Sequence, residues 1–361
     1  MPEQIPQAII NHFYPSLISL DKPEVEIKVV QLSGGLINQS YKLTCEFNKD
    51  FLVQKINSTV FAKPEDVQKN YLTIWEFTEF EFKKLKLPTP KYWENNITLI
   101  KDEEGNCWRA FEFIDNAKML QVATKAVQAK KTAIAFANFT SNFDDFNIRL
   151  LKIVIPDFHN LNVRYVQFEK ALTTENYERM AKALPMIREL QSRERFKHFY
   201  DIITESAEFP LRAMHHDAKI ANILFNKDNE KVICLVDFDT VMPGYYFSDL
   251  GDIIRSMVSN EDENSTAFEK ISVRKEFYSA IIEGYLSVMN EQLTAAEKKY
   301  IHYAGLLMIY MQALRFATDY LLGDVYYQTE YEEHNFNRAT NQLILLQQME
   351  IFLKAEYDFS I

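Results

Sequence analysis

The chain has 361 residues, a formal net charge of −11 and a hydrophobic share of 47%, which suits two domains or one two-lobed unit with a large core. The acidic balance disfavours a general phosphate-backbone binder, so no nucleic-acid partner is expected. Disorder is disfavoured too, because 27 Phe and 19 Tyr give the chain ample apolar surface to bury.

Cys45, Cys107 and Cys234 are widely separated and lack metal-ligand spacing, which supports neither a disulfide framework nor a zinc site. The opening residues carry no basic region followed by an apolar core, so no secretory leader is expected. The longest apolar stretch, Tyr303–Leu322, is interrupted by Gln312, Arg315 and Asp319. An isolated membrane span does not carry such residues cheaply, and the expectation is a cytoplasmic monomer.

In chain order, Met1–Leu20 reads as a helical lead-in. Val25–Leu32, Ser40–Phe47 and Phe51–Ile56 then read as three strands of an antiparallel meander, being rich in β-branched and aromatic residues. The first connection contains Gly34 and Gly35. With no Cβ in the way, their amides can approach an anion, although taken alone they read as a simple hairpin turn. The third strand carries Lys55, where a kinase grips the α- and β-phosphates; by itself it fits a solvated strand lysine.

Pro64 opens a helix with acids in its first turn. Glu65, Glu76, Glu79 and Glu81 are all available on it to pair with Lys55, and spacing does not choose among them. Two further strands, Ile97–Lys101 and Trp108–Ile114, close the strand-rich part. A lobe boundary at residue 115 gives an N-terminal nucleotide-binding lobe, 1–114, and a C-terminal catalytic and acceptor-binding lobe, 115–361. Phe113 and Ile114 lie where the strand leaves the first lobe, a natural adenine-binding hinge.

The remainder is mainly helical: Ala123–Asn142, Tyr177–Ser206, and a long helix from the Thr294–Glu297 capping box to about Leu322. His159 lies in an apolar loop and has two readings, a substrate contact or a hydrogen-bonded loop histidine. Arg315 and Asp319 sit one turn apart and suit an ion pair. Arg315 and Tyr326 are unusual choices for a purely packed helix end.

The densest chemistry is in Met214–Gly251. His215-x-Asp217 is followed by Asn222 and then by Asp237 at the end of an apolar run, the order of a kinase catalytic loop and its metal site. Ala221–Phe225 and Val232–Val236 read as a hairpin. Antiparallel pairing would bring Asn222 and Asp237 to one mouth, where two hard oxygen ligands suit Mg²⁺ carrying phosphates. Each residue singly fits a solvated hairpin; the ordered set carries the functional reading. Asp249 caps the next helix or ties down the catalytic loop, and the two roles are compatible.

The chain resembles the aminoglycoside phosphotransferase and choline kinase superfamily, and within it the bacterial N-acetylhexosamine 1-kinases. His215-x-Asp217-x-Lys219-x-x-Asn222, Val236–Gly244 and Arg315–Tyr326 carry the resemblance most specifically. It implies an α+β, two-lobed protein-kinase-like fold, with a small antiparallel-sheet N-lobe and a larger, mainly helical C-lobe. It also implies ATP and Mg²⁺ as cofactors, Asp217 as base, Asn222 and Asp237 as metal ligands, and His215 and Asp249 as supports. Asp217, Thr240, Arg315 and Tyr326 would face an N-acetylglucosamine or N-acetylgalactosamine acceptor phosphorylated at its anomeric hydroxyl. Ala218 departs from the threonine usual beside the base in these sugar kinases, which bears on substrate choice. Rival readings are the same chemistry on choline, homoserine, methylthioribose or an aminoglycoside, and a nucleotide-binding pseudokinase scaffold.

Overall fold

The computed structural model describes residues 5–6, 9–10, 27–32, 37–45, 50–81, 85–173 and 176–361. Gly34, Gly35 and most of the expected Met1–Leu20 helix lie outside the described residues. The fold is α+β, with an antiparallel sheet in the N-terminal part and helices through the C-terminal part. The chain forms two compact units. One gathers Met1–Met119, Phe146–Pro156 and Leu224–Met242; the other gathers Leu120–Asp145, Asp157–Ile223 and Pro243–Ile361.

The first unit is built on strands β1 (Ile27–Leu32), β2 (Gln39–Cys45), β3 (Phe51–Lys55), β4 (Ile100–Lys101) and β5 (Cys107–Glu112), in sheet order β1-β2-β3-β5-β4. Strand alternation divides β3. Phe51 and Val53 join Tyr41, Leu43, Trp108 and Ala110 in the apolar cluster on one face, and Lys55 shares their parity. Leu52 and Gln54 belong to the other face, registered against Phe111 and Arg109 of β5.

Helix α1 (Pro64–Phe80) packs on that second face. Its buried Val67, Tyr71, Ile74 and Thr78 recur at helical spacing, and the Tyr71 ring meets Phe111 edge-on at 5.0 Å. The four glutamates considered as partners for Lys55 are all exposed, and Glu65 pairs with Lys101 at 2.8 Å. The buried polar side chains of α1 are instead Gln68, Asn70 and Thr78.

A second, three-stranded sheet runs β6 (Ala117–Lys118), β8 (Ile223–Asn226), β9 (Val232–Leu235). The expected hairpin is therefore present, with Asn222 in a short 3-10 turn just before β8.

The second unit is helical: α2 (Ala126–Asn142), α3 (Leu161–Ala171), α4 (Tyr177–Gln191), α5 (Arg195–Glu205), α6 (Phe247–Met257), α7 (Lys275–Met289), α8 (Ala295–Lys299), α9 (Tyr303–Leu321) and α10 (His334–Tyr357). A short ribbon pairs β7 (Arg212–Met214) with β10 (Met242–Gly244). Helix α9 is central to it, with 16 of 19 residues buried; Gln312, Arg315 and Thr318 are the ones left partly open. That explains a stretch apolar enough to suggest a span yet carrying polar residues. Among the described residues no helix is long and apolar enough to cross a membrane.

Two expected helices are broken. Tyr177–Ser206 divides into α4 and α5 around residues 192–194. The capping box at Thr294 forms, with Glu297 N–H donating to Thr294 Oγ1 at 3.0 Å and Thr294 N–H to Glu297 Oε2 at 2.9 Å. It starts only the five-residue α8, however. The Tyr300 carbonyl, which a continuous helix would use, accepts the Tyr246 hydroxyl at 2.7 Å and the Tyr303 N–H at 3.0 Å.

Helices α6 and α9 cross on glycine. A Cβ on Gly251 would run into the Ala304 carbonyl and Met308, and one on Gly305 would lie 2.6 Å from Ile254 Cγ2. Gly251→Ala is accordingly expected to cost about 1–3 kcal/mol by overpacking, read as a lower urea midpoint with an unchanged m-value. An unchanged midpoint would mean that the crossing relaxes freely.

Candidate active site

In the helical unit, β7 delivers the chain into His215–Asp217. His215 is fully buried, its ring 5.2 Å from Phe136 and perpendicular to it. His216 holds a left-handed backbone, φ 62°, a conformation that a non-glycine residue keeps only when its surroundings impose it. Asp249, buried in the first turn of α6, supplies that constraint. Its Oδ2 accepts the His215 N–H at 2.9 Å and its Oδ1 the His216 N–H at 2.7 Å. Burial pushes the Asp249 carboxyl up to about 7, against the pull of those two N–H groups. Gly244 of β10 lets His216 sit close, since a Cβ there would lie 2.5 Å from His216 Nε2.

Asp217 follows, partly open. Its Oδ2 accepts the Asn222 amide N–H at 2.7 Å and pairs with Lys219 Nζ at 2.9 Å. Asn222 also donates to the Asp217 carbonyl at 2.8 Å. With its nitrogen spent on Asp217, Asn222 presents its carbonyl oxygen as a hard ligand. No three His, Cys, Asp or Glu side chains gather as a metal cluster among the described residues. An amide oxygen of this kind, like carboxylate, water and phosphate oxygens, is a ligand type that suits Mg²⁺.

Asp237 belongs to the other unit. It follows β9 with φ 65° and ψ 56° and leads into a 3-10 turn, Phe238–Thr240. Phe238 and Thr240 are buried. Phe238 lies 5.6 Å from the Tyr71 ring of α1, and Asn70 donates to the Val241 carbonyl at 2.8 Å. Lys55 ends β3 on the face opposite Gln54. At the expected hinge, the Phe113 N–H is taken by the Asp50 carbonyl at 2.9 Å and the Phe113 ring by Lys42 at 4.1 Å. Phe113 therefore has no backbone donor left for a base.

In the helical unit, the guanidinium of Arg315 lies 5.9 Å from the rings of Phe158 and Tyr326 and 5.5 Å from that of Tyr327. The expected Arg315–Asp319 pair is replaced. Asp319 accepts the N–H groups of Val325, Tyr326 and Tyr327 at 3.0, 2.8 and 2.9 Å, three bonds to fixed donors instead of one to a flexible side chain. That cap sets the loop on which Tyr326 stands, 71% exposed. His159 stacks on Phe158 at 4.6 Å and lies 5.2 Å from His216. Burial, with His216 and Arg315 nearby, holds its pKa well below the ordinary histidine value, so it is neutral.

The model of the phosphotransferase enzyme family matches residues 28–291. The chain belongs to that family. Similar folds include an aminoglycoside phosphotransferase from Alicyclobacillus acidocaldarius, with a TM-score of 0.65 at 12% identity over 98% of this chain and 96% of that one. A spectinomycin phosphotransferase in complex with ADP and spectinomycin gives 0.58 at 12% identity over 96% and 100%. The choline kinase LicA from Streptococcus pneumoniae gives 0.53 at 18% identity over 94% and 98%.

Sequence reasoning missed two buried charged residues close in the fold to the turn after Asp237, Arg109 and Asp239. Both are buried, at 2% and 3% exposure, and they form an ion pair. An arginine inside the apolar run Cys107–Phe111 of β5 was the available signal.

Proposed function

We propose that this phosphotransferase is an ATP- and Mg²⁺-dependent kinase of a small neutral sugar, phosphorylating the anomeric hydroxyl of N-acetylglucosamine or N-acetylgalactosamine. The observation that carries the chemistry is Asp217, partly open and oriented by Asn222 and Lys219. In this reading Asp217 orients the acceptor hydroxyl and takes its proton, and Asn222 and Asp237 hold the metal. Lys55 reaches the phosphates from the end of β3. Bound Mg²⁺ would neutralise charge on the phosphates being transferred; the residues themselves position and orient.

For the acceptor, the argument rests on charge. Arg315 has Arg164 close enough that burial and this neighbour together lower the Arg164 pKa. Two guanidiniums this near each other would repel choline or a polyamine antibiotic and suit hydroxyl and amide oxygens, which accept from arginine. Tyr326 beside Arg315 offers a ring for a sugar face.

The test is a ³¹P-detected acceptor panel with ATP and Mg²⁺: N-acetylhexosamines, choline, homoserine, methylthioribose and an aminoglycoside. A new sugar 1-phosphate signal is expected, absent in Asp237→Ala. Turnover of choline alone would overturn the sugar assignment, and phosphoryl transfer to no acceptor despite nucleotide binding would favour a scaffold.

A further inference from the structure

Arg109 and Asp239 lie at the centre of a buried polar network confined to the sheet-containing unit. Asp239 pairs with Arg109 through Oδ1 and accepts the Asn38 amide N–H at 2.6 Å through Oδ2. Arg109 donates from Nε and Nη2 to Gln54 Oε1 at 3.1 and 3.0 Å, and Gln54 in turn donates to Ser40 Oγ at 3.0 Å. Asn38 is itself fixed, its carbonyl oxygen accepting the Asn57 N–H at 2.9 Å. The network thus joins the approach to β2, the middle of β3 and β5, and the turn after Asp237.

Both Asp239 oxygens accept within this network, one from Arg109 and one from Asn38. Buried ion pairs of this kind are poor stabilisers, because an apolar pair of equal volume often does as well. What they supply is direction, since the planar guanidinium fork fixes its partner in position and angle. The object fixed here is the segment Phe238–Val241, held at three successive points: Phe238 by Tyr71, Asp239 by Arg109, and the Val241 carbonyl by Asn70. Asp237 stands immediately before the first of these points, in the left-handed conformation. An aspartate keeps that backbone when the adjoining chain leaves no alternative.

We infer that Arg109 and Asp239, locked by Asn38 and Gln54, are positioning residues that hold Asp237 in its metal-binding conformation. The inference rests on the assignment of Asp237 as a metal ligand.

The test is Mn²⁺ affinity of the full chain in the presence of a non-hydrolysable ATP analogue, followed by the loss of the free Mn²⁺ EPR signal. Asp239→Asn and the paired variant Arg109→Met/Asp239→Leu are expected to weaken Mn²⁺ by about 10–100-fold, the usual cost of losing an outer-shell partner. Metal-free binding of the analogue should change little. The paired variant removes both charges together, avoiding the misfolding that one orphaned buried charge invites. Asn38→Ser, which deletes a single donor, should give a smaller loss in the same direction.

Wild-type Mn²⁺ affinity in a folded paired variant would overturn the inference. If neither charge variant folds, wild-type affinity in Asn38→Ser would do so. Asp237→Ala separates the two claims: undiminished Mn²⁺ binding there sinks the metal assignment itself and the clamp's role with it.

Discussion

Asp217→Asn is expected to lower kcat by about 10²–10⁴-fold, the range for a lost general base, while the affinity for ATP with Mg²⁺ stays close to wild type. The substitution is nearly isosteric. The asparagine oxygen can still accept the Asn222 N–H that Asp217 Oδ2 takes at 2.7 Å, so the loop keeps its internal hold. What disappears is the negative charge facing Lys219 and the capacity to accept a proton. Because that loss falls on the transition state, kcat and kcat/KM should drop together. Single-turnover measurement by ³¹P detection reads the chemical step, and calorimetry with the ATP analogue reads binding. Turnover near wild type would show that another group is the base.

Lys219 bears on the same step. Its ammonium, 2.9 Å from Asp217 Oδ2, leaves both side chains about one-third exposed, where an ion pair contributes little to stability. Its place beside Asp217, the proposed base, is better explained by charge than by folding. In the Asp217→Asn protein this ammonium loses the Asp217 carboxylate, one more reason to expect nucleotide binding to survive or tighten slightly.

The His215–Asn222 loop was legible in the sequence because its parts are local. Asp217, Lys219 and Asn222 meet within one turn of chain, and spacing alone specifies such a cluster. The same holds for the capping box at Thr294 and for α1, whose proline and acids mark its start. Contacts across the chain were a different matter. Asn38, Arg109 and Asp239 converge through sheet register and the turn after β9, which no window of sequence contains. Asp319 shows local reasoning losing to tertiary context: a neighbour at i−4 predicted an ion pair, whereas three backbone N–H groups offered better-fixed partners. Nor could spacing reveal the break at Tyr300, which depends on a hydroxyl from Tyr246. Lys55 illustrates a limit of composition. A lysine on the third strand was readable, but the face it occupies depends on register, and a one-residue difference exchanges it with Gln54.

Asp249→Asn is expected to change both activity and the pH dependence of stability. One oxygen becomes an N–H₂ group, so either the His215 or the His216 N–H loses its acceptor in a fully buried setting, at a cost of about 1–3 kcal/mol. The loop that pays it contains His216 at φ 62° and, one residue on, Asp217, so kcat should fall at least about tenfold through loss of orientation. The pH effect has a definite sign. The Asp249 carboxyl is raised from 3.8 to about 7 in the folded chain. Between those values the native protein keeps a proton that the unfolded chain has released, so stability falls as pH rises. The contribution is fully present below about pH 4 and lost above about pH 7, up to roughly 4 kcal/mol for a shift of this size. Urea unfolding of the wild type between pH 4 and 8 should show that decline, and Asp249→Asn should flatten it. Asp252, also raised by burial but paired with Arg255 at 3.1 Å, is the competing source. An unchanged slope in Asp249→Asn would assign the decline to Asp252 and leave Asp249 ionised beneath the catalytic loop.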